Sequence, residues 1–164
     1  MELSKSIGST KISPPRFFHP GEQLLCVLLY FMLLFSLSAC NSKNDELIRA
    51  AENGDEQTVA KLLKNGANVD AGDSRGYGAL YFSAYRGHKG IVLMLIEKGA
   101  NVNIKGNTGY TPLHAAAMGG NSEIAELLLD HGAEVNVLSN HQITPLREAR
   151  GNEVAELLRS RGGK

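Results

Sequence analysis

The sequence predicts an all-α solenoid of about four helix–turn–helix units over residues 45–164, behind an N-terminal leader of residues 1–39. Three observations predict it. Gly66-Ala67, Gly99-Ala100 and Gly132-Ala133 recur at intervals of 33 residues. Each pair closes an apolar run of helical spacing and opens a short turn containing Asn or Asp. A fixed period in this range marks stacked units, each burying its apolar face only against its neighbours. Finally, Trp is absent and aromatic residues make up 6% of the chain, so the core between these helices must be aliphatic.

Composition narrows the function classes. Hydrophobic residues form 43% of the chain and charged residues 21%, which excludes wholesale disorder. Formal net charge is zero from 17 basic and 17 acidic side chains, so no global basic field draws in nucleic acid. The two cysteines, Cys26 and Cys40, both precede the repeats, which excludes a disulfide framework or a multi-cysteine metal site there.

The leader comes first. Residues 24–39 carry no charge, a run short of the ~20 residues that cross a bilayer as a helix but suited to a signal-peptide core. Lys5, Lys11 and Arg16 give it a positive flank. It ends in Leu37-Ser38-Ala39-Cys40, which resembles the lipobox of bacterial lipoproteins. That resemblance implies cleavage before Cys40, lipidation of Cys40, and a protein anchored by its acyl chains to the bacterial membrane and facing the periplasm. Asn41 after the cysteine favours the outer membrane where the host has one. An uncleaved N-terminal anchor is the alternative; the 39-residue leader, with Pro14-Pro15 inside it, is longer than the roughly 15 to 30 residues of secretory signals, as an upstream start-site misassignment or a long n-region would explain. Residues 40–44 form a tether, in which the four residues after Cys40 span roughly 14 Å between lipid and first helix when extended.

Copy one (45–72) begins directly as a helix, with Asp45 expected as its cap and Leu47, Ala50-Ala51, Val59 and Leu62-Leu63 as its apolar positions. Copy two (73–105) runs Gly76-Tyr77-Gly78-Ala79-Leu80-Tyr81, then Ile91-Val92 and Leu95-Ile96. Copy three (106–138) is the fullest: Gly109-Tyr110-Thr111-Pro112-Leu113-His114-Ala115-Ala116-Ala117, then Ile124 and Leu127-Leu128-Leu129. Thr111 is suited to cap a helix and Pro112 to occupy its first position, where the missing N–H costs nothing. Copy two has Gly78 and Ala79 there instead, so its helix start is expected to be weaker. Copy four (139–164) keeps Thr144-Pro145-Leu146 but lacks three residues before Val154, so its first helix should be short. Arg147, Arg150, Arg159, Arg161 and Lys164 make this end basic, either as a solvated capping face or as a patch for an acidic partner.

These motifs resemble the ankyrin repeat family over essentially all of 45–164. The resemblance implies a curved stack with hairpin-like turns at 70–77, 103–110 and 136–143, and a protein-binding module rather than an enzyme. It makes His114 a structural residue bonding backbone between neighbouring repeats. No nucleophile, P-loop or dinucleotide motif and no zinc-ligand spacing occurs in the sequence, and no cofactor is expected. By analogy with the family, the turn tips and the inner face of each first helix are the candidate contact positions. In copy two these are Ser74, Arg75, Tyr77, Tyr85 and Arg86. Copy three offers Asn107, Thr108, Tyr110, Met118 and Gly119, and copy four Asn140, His141 and Ile143. Tyr77, Tyr110 and Ile143 lie one period apart and would form a row, either recognising a partner or packing against their own turns. The expected protein is a monomer that scaffolds or inhibits a membrane-proximal protein partner in the cell envelope. The alternative is an intracellular adaptor held by an uncleaved anchor.

Overall fold

The computed structural model describes residues 43–164, which fold as eight helices in four consecutive pairs. The pairs are α1 (43–53) with α2 (Glu56–Lys64), α3 (Ala79–Arg86) with α4 (Lys89–Glu97), α5 (Pro112–Gly119) with α6 (Ser122–Asp130), and α7 (Pro145–Glu148) with α8 (Asn152–Ser160). First helices pack on first helices, α3 on α5 and α5 on α7; second helices pack on second helices, α2 on α4, α4 on α6 and α6 on α8. The fold is thus a two-layer helical stack with no β-strand among the described residues, only an isolated antiparallel bridge between Gly72 and Gly78.

The period of the sequence is the period of the core. Leu47, Leu80 and Leu113 are buried one repeat apart, and so are Ala51, Ala84 and Ala117. In the second layer Leu62, Leu95, Leu128 and Leu158 continue the series. The alanines matter because only a methyl group fits where layers approach closely, and a solenoid holds together by these nearest-neighbour contacts. Each second helix ends before a glycine in the left-handed region: Gly66, Gly99, Gly132 and Gly162 have φ between 80° and 89°. A Cβ at any of the four would meet nothing within 4 Å, so backbone conformation rather than space requires glycine.

Three expectations meet the structure here. Asp45 is not a cap, because the chain is already helical at residue 43; Asn44 instead accepts the Asn68 N–H at 3.0 Å. Gly78 does start α3 without any side-chain cap, as its lack of a hydroxyl requires. The missing residues of copy four do shorten its first helix: α7 has 4 residues where α3 and α5 have 8. The chain leaving α7 is recovered by the Arg150 N–H, which donates to the Ala117 carbonyl of α5 at 2.9 Å.

Candidate functional site

Three hairpin-like fingers project between repeats, and the same two bonds close each. In the first, the Asp73 N–H donates to the Tyr77 carbonyl at 2.9 Å and the Gly76 N–H to the Asp73 carbonyl at 2.8 Å. Gly106, Gly109 and Tyr110 repeat the pattern, as do Ser139, Gln142 and Ile143. The fourth residue of each closure needs positive φ, supplied by Gly76, Gly109 and then by Gln142 at φ 60°.

Neighbouring fingers are stitched by asparagines. The Asn107 N–H donates to the Arg75 carbonyl at 2.8 Å, and its side-chain amide donates to the Ser74 carbonyl at 3.1 Å. One repeat on, the Asn140 N–H donates to the Thr108 carbonyl at 3.0 Å and its side-chain amide to the Asn107 carbonyl at 2.9 Å. Asn107 and Asn140 therefore hold the fingers to one another, and their amide donors are engaged within the chain.

The tyrosines of the expected row are likewise engaged. Tyr77 is buried, its ring lies 4.1 Å from that of Tyr81, and its hydroxyl bonds the Thr108 hydroxyl. The ring is covered by Tyr81 of its own repeat and by Gly106 of the next. Tyr110 is half-buried, with its ring 4.9 Å from the His114 imidazole and its hydroxyl donating to Glu148 of α7 at 2.7 Å. That bond to a carboxylate raises the Tyr110 phenol to about 12. Ile143 is half-buried too, and its carbonyl accepts from both Ser139 and His114. Packing, the second of the two readings of this row, describes its first two members.

His114 occupies the structural place expected of it. With Thr111 it closes a capping box at the start of α5. The Thr111 N–H donates to Nδ1 at 3.2 Å, which leaves the ring proton on Nε2 to donate to the Ile143 carbonyl of the next repeat at 3.0 Å. Burial holds the imidazole below its ordinary pKa, so it is the neutral form that fits. At the opposite end of the helix pair, His88 and Asn121 reach back to carbonyls of the preceding repeat, Glu52 and Ala84.

What remains accessible lies along the first-helix layer. Tyr81, Phe82 and Tyr85 of α3 are half-buried, Arg86 is exposed, and Met118 and Gly119 of α5 continue the surface. Tyr77, Tyr81 and Phe82 form an aromatic cluster, with the Arg75 guanidinium 5.6 Å from the Phe82 ring centre. Arg86 sits 5.7 Å from the Tyr85 ring. Both arginines are ion-paired, Arg75 to Asp73 at 2.8 Å and Arg86 to Glu52 at 2.7 Å. The surface is therefore aromatic in the middle and charge-balanced at its edges. Sequence reasoning overlooked Tyr81 and Phe82. The signal was present: they stand where copy three has His114 and Ala115.

Elsewhere His141 is exposed at the tip of the third finger, and His131 bonds the Leu127 carbonyl. Arg161 pairs with Asp130 and Glu126, which takes one charge out of the basic end. No group of three His, Cys, Asp or Glu side chains that could hold a metal ion occurs among the described residues. No buried polar side-chain atom among them lacks a hydrogen-bond partner. Cys40 lies outside the described residues, and no described helix is long and apolar enough to cross a membrane.

A family model described as ankyrin repeats in three copies matches this chain over residues 28–106, 47–139 and 101–164.

Proposed function

The chain belongs to the ankyrin repeat family, a protein-binding architecture, and from that premise we propose that it binds its partner through the α3–α5 face, tethered to the bacterial cell envelope. One observation carries the choice of face. The finger amides and tyrosine hydroxyls are consumed in joining repeats, whereas Phe82, Tyr85 and Met118 are not. Aromatic and Arg side chains are the types that supply interface anchors, because they bury much area at modest entropic cost. Because Arg75 and Arg86 are already paired, affinity should come from apolar burial and depend weakly on salt. His141 and Ile143 extend the contact at the third finger.

The tether rests on the uncharged run 24–39 and Ser38-Ala39-Cys40. Lipid on Cys40 would place the stack near the headgroups, since so few residues separate it from α1. A membrane-proximal envelope protein that the module scaffolds or inhibits is the partner this geometry suits. No reaction is assigned to the protein.

Two experiments test the two halves separately. Phe82→Ala with Tyr85→Ala should abolish capture of the partner found with the wild type from envelope extract, with the melting temperature within a few degrees. Capture that survives the double substitution rejects the face. Cys40→Ser should leave an uncleaved precursor and release the mature form from membranes; unchanged size and retention support an uncleaved anchor instead.

A further inference from the structure

We propose that the boundary between the third and fourth repeats is an acid-sensitive latch, in which protonation of His114 releases α7 and α8 while the preceding repeats stay folded. The chain places histidine at this position in one copy. The equivalent residues are Ile48, Tyr81 and Arg147, so whatever His114 does on titration is confined to one boundary.

The chemistry follows from its two nitrogens. Neutral His114 is satisfied on both sides, Nδ1 accepting from Thr111 and Nε2–H donating to Ile143. The imidazolium carries a proton on each nitrogen, so Nδ1–H would confront the Thr111 N–H with only the Thr111 hydroxyl, 3.0 Å away, to accept it, and its charge would sit in a fully buried site. The Thr111 hydroxyl and the Tyr110 ring lie against the imidazole, and the charges of Glu148 in α7 and Lys105 ahead of the second finger act on it. Glu148 favours the cation and Lys105 opposes it, but burial is the largest influence and favours the neutral form. The imidazolium is hydrated only if the ring leaves its site, and leaving gives up the Ile143 carbonyl of the fourth repeat.

That repeat is the one least able to resist. Within α7 only Pro145 is buried, and the helix is a single turn. The boundary between the first two repeats also uses a histidine, but there the ring of His88 is half-buried and bonds a single backbone carbonyl, that of Glu52, through Nε2.

The sign is set by the downward shift. A base with a depressed folded pKa stabilises fully above its unfolded value, near 6.5, and the stability drains away as pH falls below that value. Hydrogen exchange on the full-length chain at pH 7 and pH 5, corrected for intrinsic rates, reads it out. Amides of α8 should lose several-fold more protection than those of α4. His114→Gln keeps an acceptor and a donor but does not titrate, so it should flatten this difference. Equal loss in His114→Gln, or loss spread evenly over α2 to α8, overturns the latch. If His114→Gln weakens α8 already at pH 7, the wild-type imidazole is followed by NMR. A His114 transition that coincides with release of α8 supports the latch, and one that leaves α8 unchanged overturns it.

Discussion

Asn107 and Asn140, one period apart, do the same work on successive fingers: each lays its main-chain N–H and its side-chain amide on two carbonyls of the finger before it. Repeats are thereby joined at the tips as well as through the core. Asn140→Ala should lower unfolding stability by about 1 kcal/mol, the usual net worth of such a bond at a partly solvated site. Thermal denaturation decides; an unaltered melting temperature would make the stitch incidental.

The left-handed corner of each finger yields a pair of opposite effects. A Cβ on Gly109 would lie 2.7 Å from Asn140 Oδ1 and 2.8 Å from the Asn140 nitrogen, in addition to the strain of φ 79°. Gly109→Ala should therefore cost about 2 kcal/mol or more, since backbone cannot yield as a side chain can. Gln142 already bears that strain at φ 60°, so Gln142→Gly should be neutral to mildly stabilising, by up to about 0.5 kcal/mol. Denaturant midpoints of the two variants moving in the same direction would contradict this account.

Alkaline pH offers a second titration. The bond to Glu148 raises Tyr110 to about 12, and burial raises Tyr81 to about 12. Acids whose folded pKa is raised contribute stability below the unfolded value near 10 and lose it as pH climbs from there toward 12. Wild-type stability should fall across that window, and Tyr110→Phe should start lower and fall less. Parallel curves for the two proteins would show that Tyr110 stays protonated or unlinked.

Restoring the missing cap of copy two should fail. Thr111 suggests Gly78→Thr, worth roughly 1 kcal/mol as a helix cap on general grounds. Yet a Cβ at Gly78 would stand 2.8 Å from the Ala71 carbonyl oxygen, beside the bridge that joins Gly72 to Gly78. The clash outweighs the cap, so Gly78→Thr should not raise the melting temperature; a rise of several degrees would mean the bridge is dispensable.

The sequence by itself determined the period, the two helices per unit, the glycine stops and the shortened first helix of the last copy. Each is local or strictly periodic: a helix writes its buried stripe at fixed spacing, a left-handed stop demands glycine, and a deletion is visible as broken arithmetic. Only the tertiary structure decided which side chains of the turns and first helices remained free. Tyr77 and Tyr110 looked alike in sequence to Tyr85, yet the first two spend their hydroxyls on Thr108 and Glu148 of the next repeat. Gly78 looked like a lost cap and is a glycine kept for the approach of Ala71. Whether a polar group is consumed depends on partners 29 to 38 residues away, brought within a bond's length by stacking alone, and no pattern within one repeat records that distance.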